Sequence, residues 1–168
     1  MKRSSLKRGG SIPRKTALRR TSRKAPTIKE LDKLLHQVVR ARDKTCQLVS
    51  AGMGKCGGNL QACHIYPKGT YQAMRYVLDN VLLGCWRHHS PSSPVSWHAN
   101  PMVYGEWFRF TYRDKAVKLR MMAATPGKID RKLDRLYLEG ELAKHRRSGS
   151  HNLGHQGCRQ PENRQERI

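Results

Sequence analysis

The sequence predicts an α+β fold: a small zinc-stabilised core with flanking helices and disordered basic tails. Three observations carry this reading. Four of the five cysteines and four of the eight histidines fall between Cys46 and His98. Apolar residues recur at helical spacing on both sides of that stretch, whereas the stretch itself is rich in glycine and short apolar runs. The chain has 168 residues with only 37% hydrophobic content, so its core is modest and gains from a metal crosslink.

The ends of the chain are basic and polar. Residues 1–26 hold ten Lys or Arg and no acid, and Gly9, Gly10, Pro13 and Pro26 interrupt any helix. This segment reads as a disordered basic arm suited to phosphate contact. Residues 147–168 read as a disordered tail; Cys158, His151 and His155 lie there and are assigned to no site. The net charge of +22 points to a polyanionic partner, nucleic acid above all. There is no run of 18 apolar residues, so no membrane-spanning helix is expected. The charged N-terminus lacks the apolar block of a signal peptide, which predicts a cytoplasmic protein. The odd cysteine count then favours reduced thiols and metal over disulfides.

The elements follow in order. Thr27-Ile28-Lys29-Glu30 has the form of a capping box, and Leu31, Leu34, Leu35, Val38 and Val39 follow at helical spacing. A helix over about 28–42 is expected, with His36 on its surface. Arg40 and Arg42 suit either a phosphate or a buried acid. Cys46 to Val49 is expected to begin a strand, and Leu60 to Ile65 to return after a glycine-rich turn. Asn100-Pro101 reads as a helix start, with Tyr104, Trp107 and Phe108 packing back on the core. Arg113 to Met122 continues that helix or forms another. Pro126-Gly127 breaks the chain, and a last amphipathic helix runs to about His145. It can dock on the core or support a homodimer. The domain reading is therefore a basic arm over 1–26, a core with its preceding helix over 27–112, a helical extension over 113–146 and a tail.

The chemistry-bearing residues have informative spacing. Cys85-x-x-His88 puts two zinc ligands one helical turn apart. The glycines between Cys46 and Cys56 can fold those two thiols together. Cys46, Cys56, Cys85 and His88 are therefore the expected structural zinc ligands. His89 is rotated about 100° from His88 on an ideal helix and faces a different site. His64 stands 16 residues before Asn80 and is the candidate general base, since a neutral imidazole can take a proton from attacking water. Lys68 and Arg75, among the tyrosines of the loop between them, are candidate phosphate contacts.

The order His64, Asn80, His89, with Cys85-x-x-His88 just ahead of the last histidine, resembles the HNH endonucleases. Val39-Arg40-Ala41-Arg42-Asp43 and Asp79-Asn80-Val81-Leu82-Leu83 are similar to family sequences. Trp97-His98-Ala99-Asn100-Pro101 followed by Trp107 resembles phage HNH proteins, including NinG-type recombination nucleases. The resemblance covers roughly residues 38–110. It implies a ββα-metal fold, with His64 ending the second strand of a hairpin, Asn80 in the linking loop or at the helix start, and His89 on the helix. It also implies hydrolysis of DNA with a divalent cation, Mg²⁺ or another, and a role in phage recombination or branched-DNA processing in the host cytoplasm. His89 matches the family's helical metal ligand, and His98 a second histidine displaced by Ser90-Pro91-Ser92-Ser93-Pro94. Cys63 stands where the family often has a metal-binding Asp or His. It is a spectator, a ligand for a softer metal, or a replacement for Cys56 in the zinc site. Two other readings stay open: a non-catalytic zinc-containing DNA-binding protein, and an RNA-directed nuclease.

Overall fold

The structure, a computed structural model, describes residues 24–125 and 127–148. The expected basic arm lies outside the described residues but for 24–26, as do Cys158, His151 and His155. The described chain is α+β, with five helices and a two-stranded antiparallel sheet. No described helix is long and apolar enough to cross a membrane.

Helix α1 spans Ile28–Asp43 and opens with the expected capping box: Thr27 Oγ1 accepts from Glu30 N, and Thr27 N donates to the Glu30 carboxylate. Such a cap is worth about 1 kcal/mol. Its buried stripe is Leu31, Leu35, Val38 and Val39. His36 lies part-buried rather than free on the surface, and its Nε2 donates to the Leu60 carbonyl.

Strand β1 (Leu60–His64) pairs with β2 (Val81–Cys85), from Leu60 opposite Cys85 to His64 opposite Val81. Here the structure corrects the sequence reading. The strand expected to begin over Cys46 to Val49 is absent, and Gln47–Ala51 form a 3-10 turn. The true partner of β1 is Val81–Cys85, buried along its whole length. A five-residue apolar run is ambiguous between strand and helix from periodicity alone. The hairpin therefore begins with β1: His64 ends its first strand, not its second, and Asn80 leads into β2. Helix α2 (Trp86–His89) follows at once, with Cys85 as its extended N-cap.

Two close approaches fix this unit. Gly58 has φ +76°, and a Cβ there would lie 2.7 Å from the Trp86 Cβ. A Cβ on Gly84 would lie 2.7 Å from Leu48 Cδ1, so the 3-10 turn packs directly on β2.

The hairpin separates two apolar clusters. One holds α1, Leu83, Val81 and Tyr76, closed by Leu138 and Leu142 of α5 (Arg131–Ser148). The other holds Leu48, Cys63, Met74 and Leu82, closed by Tyr104 and Phe108 of α3 (Pro101–Thr111) and Leu119 of α4 (Arg113–Ala123). Pro101 starts α3 as expected, and Tyr112, off helical geometry, separates α3 from α4. Both extension helices dock on the core, and α5 continues through Arg147 and Ser148.

Candidate metal centre and histidine cleft

Cys46, Cys56, Cys85 and His88 converge, each offering one ligand atom within 4.8 Å of the others. The chain builds this point from three places. Cys46 precedes the 3-10 turn, Cys56 arrives on the glycine-rich excursion, and Cys85 and His88 flank the first turn of α2. Backbone bonds clamp the excursion to α2: Trp86 N donates to Asn59 O at 2.9 Å and Arg87 N to Gly57 O at 3.0 Å. Trp97 N donates to His88 O at 2.8 Å from the other side.

The geometry fits zinc. Tetrahedral bonds of about 2.3 Å to sulfur and about 2.0 Å to nitrogen put those atoms about 3.5 Å apart. His88 Nδ1 lies 3.5, 3.8 and 3.4 Å from the sulfurs of Cys46, Cys56 and Cys85. Two backbone amides also point at sulfur, Cys85 N at Cys46 (3.2 Å) and Gly57 N at Cys85 (3.4 Å). Such donors stabilise thiolates. Burial, aided by the charge of Cys85, pushes the Cys46 thiol up to about 11 despite the Cys85 amide. Burial also opposes ionisation of Cys85, but the Gly57 and His88 backbone outweigh it and lower that thiol. His88 Nε2 is buried without a hydrogen bond. Burial lowers the pKa of this imidazole even though the Gly54 backbone favours its charged form, so the neutral ligand form is preferred. The cluster can thus hold a metal ion such as zinc.

Cys63 is not part of it. It lies 1% exposed in the apolar cluster, where burial pushes its thiol up to about 12. Cys56, not Cys63, completes the four-ligand group. Among the described residues this is the one group of three or more potential ligands brought together. The expected second set of His89, His98 and Cys63 does not assemble, because Cys63 is enclosed in the core.

What does assemble is a group of three histidines, termed the histidine cleft. The rings of His89 and His98 lie 5.3 Å apart. His89 Nδ1 sits 2.8 Å from Gln61 Oε1. The amide oxygen only accepts, so Nδ1 carries the proton and Nε2 keeps its lone pair. Burial, then His98, His64 and Lys68, push the His89 pKa down to about 4. His64 Nε2 lies 3.0 Å from the Arg75 carbonyl. By the same logic Nε2–H donates, and the lone pair is on Nδ1. Burial lowers the His64 pKa, outweighing the Arg75 carbonyl.

Asn80, fully buried, pins the loop after His64. Its Oδ1 accepts from Tyr66 N at 2.8 Å, while Nδ2 donates to Tyr66 O at 3.2 Å and Met74 O at 3.0 Å. Asn80 therefore positions the loop rather than meeting a ligand.

Two of the four expected phosphate contacts are otherwise engaged. Arg75 makes a two-pronged pair with Asp32, at 2.9 and 2.6 Å. Arg42 clasps Asp43 and donates to the carbonyls of Leu78 and Val81, while Asp43 accepts from Leu83 N at 2.9 Å. This lock fastens the end of α1 to β2. Arg40 is exposed, and Lys68, 49% exposed, lies 3.6 Å from Asp32. The roles of Gln61, Asp32 and Asp43 escaped sequence reasoning, since single polar residues carry no spacing signal.

No protein-family model, curated protein or solved structure matches this chain.

Proposed function

We propose that the protein is a metal-dependent DNA endonuclease of the HNH class. The observation that carries the reading is one unit: a β-hairpin whose first strand ends in His64, an Asn80-pinned loop that leads into its second strand, and a short helix carrying His89. His64 contributes to lowering the His89 pKa. His64 Nδ1 is the base: it takes a proton from the water that attacks phosphorus. The Arg75 carbonyl holds the ring and favours the imidazolium that results. Lys68 contributes positive charge beside the scissile phosphate. The zinc centre locks α2 against the excursion and so fixes His89 one residue away.

A divalent cation would supply Lewis-acid stabilisation of the phosphate and the leaving 3′ oxygen. His89 Nε2 and His98 are the residues that would hold it. Two imidazoles without a carboxylate do not fit Mg²⁺, which takes oxygen ligands. They suit Mn²⁺, Ni²⁺, Co²⁺ or Zn²⁺. Phage recombination and branched-DNA processing are the settings the sequence resemblance implies. A non-catalytic zinc-containing DNA-binding protein is the second reading, favoured by the single assembled ligand group. Nicking assays with each metal, on wild type and His64→Ala, separate the two. Wild-type nicking that the variant lacks supports the nuclease. Tight DNA binding with no nicking by either supports the binding protein.

A further inference from the structure

A groove of about 660 Å³ runs between α3 and α4. None of its residues belongs to the zinc centre or the histidine cleft. Its inner wall holds Tyr66, Trp97 and Gly105, and its sides carry Arg109, Arg113 and Arg120. All three arginines are exposed. None enters an ion pair among the described residues. The Nε of Arg109 donates only to Gly105 O of its own helix, at 3.2 Å. Arg113 and Arg120 are seven residues apart on α4, hence on one face and about 10 Å apart along the axis.

The groove also has a direction. Ile65 and Tyr66 on its wall directly follow His64, and Trp97 directly precedes His98. Neighbouring Cα atoms are about 3.8 Å apart, so the groove opens beside the histidine cleft. An apolar floor between unpaired arginines matches a polyanion that also carries apolar rings. A groove of 660 Å³ lies in the range that encloses a ligand of nucleotide size.

We infer that this groove binds an unpaired DNA strand, with phosphates on Arg109, Arg113 and Arg120 and a base against the floor beside Tyr66, and that it leads this strand to His64. The inference rests on the nuclease reading for its destination, though not for its binding. These arginines are positioning residues.

The test is fluorescence anisotropy of a labelled oligothymidine and of a duplex of equal length, across a salt series, with no added divalent metal. Wild type is compared with Arg113→Gln/Arg120→Gln and with Arg109→Gln, each checked by thermal melting. Two lost phosphate contacts should weaken single-strand binding about tenfold and reduce the salt slope by about 1.4. Duplex affinity and the melting curve should stay near wild type. Wild-type single-strand binding by the double variant would overturn the inference, as would equal losses for strand and duplex. Nicking by wild type and His64→Ala, run in parallel, reports on the nuclease reading separately. Absent nicking with a selective strand-binding loss removes that reading and leaves the groove standing.

Discussion

The Cys46, Cys56, Cys85 and His88 cluster, a candidate metal centre, and the group of His64, His89 and His98 meet at α2 and differ in almost every other respect. In the centre, three sulfurs surround one imidazole nitrogen at 3.4 to 3.8 Å, with amides turned toward sulfur. Every donor comes from the chain, so the site is complete and closed. In the other group, His64 is held by Arg75 O, His89 by Gln61, and His98 stacks beside the His89 ring. Adjacent residues, His88 and His89, thus serve opposite ends. A set of soft donors that can hold a metal ion such as zinc stands on one side of the helix, and three grouped imidazoles, the proposed reaction site, on the other.

The comparison breaks most visibly at the zinc. Cys85→Ser should remove stoichiometric zinc and abolish the cooperative melt, because structural zinc contributes on the order of 10 kcal/mol in small metal-folded domains. Zinc content and circular dichroism check this; a variant that melts like wild type would make the centre dispensable. Next in size is His64→Ala. It should lower cleavage by about 10² to 10⁴-fold while costing only about 1 kcal/mol of stability for one lost hydrogen bond. Asn80→Ala belongs between the two regions. It strands buried backbone groups of Tyr66 and Met74 and should cost about 2 to 4 kcal/mol in urea melts. It should lower cleavage as well, since the loop carries the His64 environment.

Two pH experiments sharpen the contrast. His64 must be neutral to accept a proton, and its pKa lies below the usual value because of burial. Cleavage should therefore rise with pH with its midpoint below about pH 6.5, the ordinary histidine value. A limb that rises only above that point would exclude His64 as the base. The smallest effect concerns Asp32. Burial opposes its charge, but Arg75 and Lys68 outweigh burial and hold its carboxyl below the usual range. A depressed carboxylate pKa stabilises the fold above the unfolded value, near pH 4, and that stability is lost as pH falls through the folded pKa. Asp32→Asn should flatten the acid limb of the melting temperature and leave its neutral limb merely lower.

Much of this was legible in the chain. Helical spacing marked α1, with its cap, and the start of α3. Cys85-x-x-His88 marked the zinc pair, and the glycines after Ser50 marked the excursion that returns Cys56. The hairpin was misread because Val81-Leu82-Leu83-Gly84-Cys85 has no alternation: both faces are buried, so period two vanishes. Cys63 looked like a metal ligand from position alone. Only the sheet register, Cys63 opposite Leu82, turns its thiol into the core. Arg75 reads as a phosphate contact because the acid that holds it, Asp32, is brought in by tertiary geometry that sequence spacing does not encode; for Arg42 the acid alternative left open by the sequence is the one found, on Asp43.

The measurement that tests the central claim most directly is nicking of supercoiled plasmid by the zinc-loaded protein. Mg²⁺, Mn²⁺, Co²⁺ and Ni²⁺ are added in turn, beside a His64→Ala variant of equal zinc content and melting temperature. The account predicts nicking with Mn²⁺, Co²⁺ or Ni²⁺, weaker nicking with Mg²⁺, and none by the variant. Equal nicking by the variant, or none by the wild type with any metal, would contradict it.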